Sequence, residues 1–260
     1  MLSPDYFAEI VNNFLPTPHS ELLNGIILGI PIRSGSAFYR ELRNTGLIHL
    51  VVLSGSNIAI LNSFIVLISS HFSKRISIVI VLLTIIFFII FVSPQAPIIR
   101  ASLMLSFTSV AFIYGKRSNA LLSLLVASIL IAWIFPEWTT SLSFQLSVAA
   151  TLGIILFGRP RPGSHWIADE LRLTSAAQVF TTPLIFIKFK TISLISPIAN
   201  IAVAWTVGPL MILGFILAIS GKIFLPVAVI ASMVAYGILS FFITAVHFLN
   251  QLPYSSIYFP

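Results

Sequence analysis

Charged side chains are scarce in this sequence, and their scarcity excludes a soluble globular protein. Of 260 residues, 14 are Lys or Arg and 7 are Asp or Glu, so that 8% of the chain is charged. A soluble domain carries about 25%. Apolar residues make up 58% of the chain. So few charges cannot cover a surface that faces water. The composition therefore predicts an all-α, polytopic integral membrane helical bundle.

Cysteine is absent, and clusters of other reactive side chains are missing too. Without cysteine there is no disulfide, thiolate metal site or catalytic thiol. The five histidines are scattered singly, without the spacing of metal ligands. All seven carboxylates lie outside the predicted spans, which argues against an intramembrane proton relay or aspartyl protease. We therefore expect no catalytic residue, no metal and no cofactor, and we do not expect an enzyme.

Long apolar segments, by contrast, are numerous. Crossing the hydrocarbon core takes about 17 to 20 apolar residues. About eight segments meet that length, namely 46–70, 76–92, 97–114, 119–135, 141–157, 174–190, 197–220 and 224–249. Residues 1–45 hold only short amphipathic stretches separated by prolines, so we expect interfacial helices there. The expected organisation is thus 1–45 interfacial, 46–250 transmembrane and 251–260 a short tail.

The loops between the spans indicate the orientation. One set of alternate loops, which contains HFSKR, GKRSN and GRPRPGSHWIADELR, is richer in Lys and Arg than the opposite set. The positive-inside rule places the richer set in the cytoplasm. We therefore expect a multi-pass protein of the cytoplasmic membrane with both termini outside.

The first predicted span contains an unusual polar run. His49 is followed by Ser54, Gly55, Ser56 and Asn57. Glycine disfavours a continuous helix and serine can cap a new one, so the run predicts two half-helices with an unwound joint. Backbone N–H groups at such a joint suit a carboxylate or phosphate. Close packing of small residues between two helices explains the same run equally well.

Arg100 lies inside the third predicted span, where an arginine costs about 2.5 to 3.5 kcal/mol by insertion scales. Ser102, Ser106 and Ser109 follow on the same helix at helical spacing. Two interpretations remain open: the side chain reaches back to the interface, or it lines a hydrated path for an anion.

Three further predicted spans carry polar side chains. They contain Gln145 with Ser147, Gln178, and Asn200. Hydrogen bonds between helices are the commoner use of such groups. Polar residues in so many spans also favour a shared hydrated interior, because an unpaired polar group in lipid is costly.

Six separated motifs resemble the competence domain of the ComEC family. The stretch from Thr45 and Gly46 through His49 and Leu50 to Ser54 and Gly55 is similar to its T-G-x-x-H-L…S-G element. The others are Arg100-Ala101, Lys116-Arg117-Ser118, FQLSVAATLG at 144–153, AQVFTTP at 177–183 and SPIAN at 196–200. Where the family often has S-G-x-H, this chain has Asn57. The resemblance runs from about residue 20 to residue 250.

The resemblance implies a channel that moves one strand of transforming DNA across the cytoplasmic membrane during natural competence. It implies DNA contacts at the broken helix and Arg100, with Gln145, Ser147, Gln178 and Asn200 as polar lining. Larger family members also carry an OB-like domain and a metallo-β-lactamase-like domain, which do not fit in this chain. We therefore expect a transport core or a fragment, in contact with membrane lipid and working with a separate metallo-β-lactamase-like nuclease and a cytoplasmic ATPase or helicase.

Two other functions remain open. One is a transporter of small anions or lipid-linked substrates, because attraction for phosphate does not identify its carrier. The other is a structural membrane subunit that supports a separate nuclease or ATPase.

Overall fold

The computed structural model describes residues 4–51, 55–69, 71–92, 94–159, 163–189, 191–193, 195–252 and 256–258. Two compact units are present, one of residues 1–53 and 189–260, the other of residues 54–188. The first contains α1 (Pro4–Phe14), α2 (His19–Leu28), α3 (Ala37–Asn44), α4 (Ile48–Val51), β1 (Thr191–Ser193), α11 (Ser196–Ser220), α12 (Leu225–Asn250) and β2 (Ser256–Tyr258). The second contains α5 (Gly55–Ser69), α6 (Lys74–Val92), α7 (Ala96–Ile113), α8 (Ala120–Ile134), a 3₁₀ helix (Pro136–Thr140), α9 (Leu142–Phe157) and nearly all of α10 (Trp166–Phe189).

Several helix ends follow from polar or glycine residues in the sequence. The side chains of Ser36, Asn119 and Ser141 accept hydrogen bonds from the first free N–H groups of α3, α8 and α9. Such caps satisfy donors that have no partner within the helix. Helix α2 ends at Gly29, whose φ of 71° is the left-handed conformation that glycine adopts readily.

Helices α11 and α12 form the centre of the first unit. Each buries a stripe of apolar residues at helical spacing, and α1, α2 and α3 pack against the pair. Helix α2 is buried at Ser20 and from Leu22 to Leu28. Its Asn24 donates a hydrogen bond to Asn12 of α1 at 3.0 Å. The interfacial placement of residues 1–45 stays a prediction.

Many apolar side chains on the helices of both units face outward. In the first unit they include Trp205 on α11 and Met233 and Phe248 on α12. In the second they include Phe87, Ile129 and Ile187. An outward apolar surface of this extent matches a hydrocarbon solvent. The predicted all-helical membrane architecture is confirmed at this level, apart from the short β1–β2 pair, in which Ile192 lies opposite Ile257.

The number of spans is confirmed only in part. Among the described residues, two helices are long and apolar enough to cross a membrane, Ser196–Ser220 and Leu225–Asn250. Five further apolar stretches have 10–17 residues. At 1.5 Å per residue, such a stretch is shorter than the hydrocarbon core of about 30 Å. Eight spans therefore stay a prediction.

In the second unit, α9 and α10 lie close together at Gly153. A Cβ at this position would lie 2.2 Å from the carbonyl oxygen of Ala176 and 2.9 Å from the ring of Phe180. Both distances are below van der Waals contact, and the nearer atom belongs to the backbone. Only glycine permits this helix packing.

Gly153→Ala is therefore expected to lower stability by about 1 to 3 kcal/mol, because the two helices must separate. Gly237→Ala is the matched control, since Gly237 also lies within a helix and a Cβ there meets nothing within 4 Å. Thermal unfolding of the detergent-purified variants measures both. Equal stability of the two variants would show that the α9–α10 contact tolerates a side chain.

Candidate functional site

Arg100 is the buried cation of the second unit. It follows Pro97 in the first turns of α7, and it is 5% exposed. Its Nε donates to Ser147 Oγ at 3.0 Å, and its Nη1 donates to Thr151 Oγ1 and lies 3.6 Å from Met104 Sδ. Ser147 and Thr151 lie one turn apart on α9 and therefore share a face. Arg100 is thus held in place by neutral groups.

Nothing in the described part of the chain neutralises the charge of Arg100. The ion pairs found there join Glu21 to Arg33, Asp169 to Arg172 and Glu41 to His247. Hydrogen bonds to hydroxyl groups satisfy N–H donors but do not cancel a charge. The guanidinium therefore carries an uncompensated positive charge at a buried position.

The second guanidinium nitrogen of Arg100 faces the start of α5. A Cβ at Gly55, the first residue of α5, would lie 3.2 Å from Arg100 Nη2 and 3.2 Å from Ala101 Cβ. Nη2 forms no hydrogen bond with the described residues. A buried guanidinium nitrogen without a hydrogen bond to the described residues can donate to an anion, and such charge-assisted hydrogen bonds are strong.

The other predicted residues near this site are placed as follows. Helix α5 is described from Gly55 onward, so the unwound joint predicted for this run stays a prediction, and Asn57 is buried at 1% exposure. Ser54 lies outside the described residues, as does the side chain of Ser56.

Gln145 and Gln178 are not among the groups that hold Arg100. The Gln145 side chain is exposed and donates to the carbonyl oxygen of Thr139 at 3.2 Å. Gln178 lies half-buried on α10. Sequence reasoning missed Thr151, although its position four residues after Ser147 places it on the same helix face.

A separate polar site in the first unit brings together His49 and Asn200. His49 Nδ1 lies 2.9 Å from the carbonyl oxygen of Gly46, and its ring hydrogen-bonds with the side chain of Asn200. The His49 side chain is exposed, whereas Asn200 is 6% exposed. These residues come from predicted spans about 150 positions apart in the sequence.

Gly46 makes the approach of these segments possible. Its φ is +73°, and a Cβ there would lie 2.7 Å from both Cβ and Oγ of Ser196 and 3.2 Å from Ser193 Cβ. The left-handed conformation and the lack of space each favour glycine. The T-G-x-x-H stretch and the S-P-x-A-N stretch therefore pack directly on each other.

No group of three or more His, Asp or Glu residues that suits a metal ion occurs among the described residues. The chemistry that both polar sites offer is thus hydrogen bonding and, at Arg100, positive charge.

Comparison with known proteins identifies the family. A model of the competence protein family matches residues 33–260. The chain belongs to the competence protein family. The match confirms the resemblance to the ComEC-type competence domain, and all six motifs that carry the resemblance lie within it. Membership supports a role in DNA uptake during competence at the level of the family, and with the apolar helices it indicates a membrane protein.

One curated relative supports the relationship without adding a function. It is an uncharacterized protein of Aquifex aeolicus (strain VF5), 31% identical over 147 residues, which are 56% of this chain and 35% of the relative. The matched region therefore spans about a third of that protein's length. No solved structure matches the chain.

Proposed function

We propose that this competence family member moves single-stranded DNA across the cytoplasmic membrane. Every nucleotide of a single strand carries one phosphate charge, so a path through a membrane must offer positive charge and hydrogen-bond donors. In this proposal the chain is a multi-pass channel of about eight spans with both termini outside. It is not itself an enzyme.

The observation that carries the proposal is Arg100. Burying a guanidinium that pairs with no described carboxylate costs free energy of desolvation. An anion that enters the site removes part of that cost. Its Nη2 lies next to Gly55 of α5 and forms no hydrogen bond with the described residues. A phosphodiester oxygen would accept a hydrogen bond from this nitrogen.

The remaining predicted residues have supporting roles in this proposal. His49 and Asn200 form a polar contact in the first unit that can donate to a passing strand. Ser147 positions Arg100. Gly55 leaves room beside Nη2 because it has no side chain. Ser54, Ser56, Asn57, Gln145 and Gln178 are proposed as polar lining.

Energy and processing must come from partners in this proposal. The sequence contains no G-x-x-x-x-G-K-[ST] nucleotide-binding motif, and metal-binding clusters are absent from the described residues. We propose that a cytoplasmic ATPase or helicase and a metallo-β-lactamase-like nuclease supply these steps.

A transport assay tests the proposal. The full chain is reconstituted in vesicles, fluorescent single-stranded DNA is added outside, and external nuclease then removes what has not entered. We expect protected DNA inside vesicles that contain the chain and none inside empty vesicles. Absence of protected DNA would contradict autonomous translocation and favour a structural subunit.

A small-anion transporter is the second candidate, because the site of Arg100 fits a free phosphate as well as a phosphodiester. Entry of radiolabelled inorganic phosphate into the same vesicles decides between the two. We expect no phosphate entry above that of empty vesicles. Rapid phosphate entry without DNA entry would favour the small-anion function.

A further inference from the structure

A cavity lined by one arginine lies in the unit of residues 54–188, at the adjacent ends of α8 and α9. Its volume is about 410 Å³, within the usual range for small-molecule sites. Asn119, Ala120, Leu121, Ile155, Leu156 and Arg159 line it. The cavity is thus lined by two polar residues, Asn119 and Arg159, and by four apolar residues.

The polar groups of this cavity are donors. Arg159 is exposed, and its guanidinium forms no ion pair with the described residues. The Oδ1 of Asn119 accepts from the N–H groups of Leu121 and Leu122, at 3.0 and 3.2 Å. With its oxygen engaged in the cap, the Asn119 amide can offer its amino group as a donor. No carboxylate is among the described residues that line the cavity.

The apolar side chains of the cavity suit an apolar part of a ligand. Leu121 is 37% exposed and Leu156 is 48% exposed, and both flank the polar groups. A ligand that fits must combine an anionic group with an apolar body. An acidic phospholipid has this composition, and basic pockets between membrane helices bind such headgroups.

We propose that this cavity binds the phosphate headgroup of an acidic phospholipid, with Arg159 and Asn119 on the phosphate and Leu121 and Leu156 against the acyl chains. The site is separate from Arg100 and does not depend on DNA transport. Lipid binding can therefore fail while transport holds, or hold while transport fails.

Native mass spectrometry of the full chain in detergent tests the proposal. The protein is titrated with phosphatidylglycerol or with phosphatidylcholine, each alone and with excess glycerol phosphate. We expect preferential retention of phosphatidylglycerol that glycerol phosphate does not displace. Equal retention of the two lipids would overturn the proposal. Displacement by glycerol phosphate would also overturn it, because a free phosphate would then be the ligand.

Two variants sharpen the test. Arg159→Gln is expected to weaken phosphatidylglycerol binding about tenfold, the loss typical of one charge-assisted hydrogen bond. Asn119→Asp keeps an acceptor for the helix cap but replaces the donor by a negative oxygen, so it should weaken binding with stability retained. Arg117→Gln is the control, because Arg117 is exposed and does not line the cavity. A loss for Arg117→Gln equal to that of Arg159→Gln would contradict a specific site.

Discussion

Replacing Arg100 by glutamine is expected to weaken the binding of single-stranded DNA at least about tenfold. The guanidinium is held by Ser147 and Thr151 with Nη2 towards the start of α5, so its removal deletes one charge-assisted contact with a phosphate. Such a contact contributes about 1.5 to 3 kcal/mol. Fluorescence anisotropy of a labelled oligonucleotide, with the chain in lipid nanodiscs, measures the affinity.

Salt dependence gives a second signature of the same contact. When a protein neutralises one phosphate of a single strand, the logarithm of its association constant falls by about 0.7 for each tenfold rise in salt concentration. The slope for Arg100→Gln should therefore be smaller than that of the wild type by about that amount. Glutamine removes the charge, whereas Arg100→Lys keeps it but cannot span both hydroxyls, so lysine should give an intermediate affinity.

Arg117→Gln is the matched control for these measurements, since it removes the same charge from an exposed loop position. It should leave the affinity within about twofold, because Arg117 follows the last turn of α7 whereas Arg100 lies in its first turns. If Arg100→Gln inserts normally and binds DNA like the wild type, Arg100 does not contact the strand.

Gly46→Ala is expected to lower the free energy of unfolding by about 2 to 5 kcal/mol, because two costs combine. The left-handed φ of +73° is strained for alanine by about 1 to 2 kcal/mol. The new methyl group would also lie 2.7 Å from Ser196, and overpacking adds about 1 to 3 kcal/mol. Thermal unfolding of the purified variant measures the sum.

Two other glycines separate these costs. Gly115 has a φ of +64° and open space around it, so Gly115→Ala carries the strain alone. Gly35 has open space and no positive φ, so Gly35→Ala carries neither cost. The expected order of stability is Gly35→Ala, then Gly115→Ala, then Gly46→Ala. A Gly46→Ala variant as stable as Gly115→Ala would show that Ser196 moves aside without cost.

The cation inside an apolar helix could be predicted because it depends on local sequence. Arg100 lies within an apolar segment, whatever the helices around it do. Which hydroxyls meet Arg100 depends on how the helices rotate against each other. The serines of its own helix do not hold it: Ser106 donates instead to the carbonyl of Ser102 at 2.8 Å.

Contacts between distant segments could not be predicted from the sequence for the same reason. The pairing of His49 with Asn200 follows from the close packing of Gly46 on Ser196, which no local pattern indicates. The extensive burial of α2 could not be predicted either. Its sequence HSELLNGIIL reads as amphipathic, yet its polar Ser20 and Asn24 are buried together with its apolar residues.

The most direct test of DNA translocation compares wild type and Arg100→Gln in the same vesicles. Equal amounts of each protein are reconstituted, and the nuclease-protected fraction of external single-stranded DNA is followed over time. We predict that DNA enters the wild-type vesicles and that the initial rate falls about tenfold or more for Arg100→Gln. Equal rates, or no entry with either protein, would contradict a DNA path at Arg100.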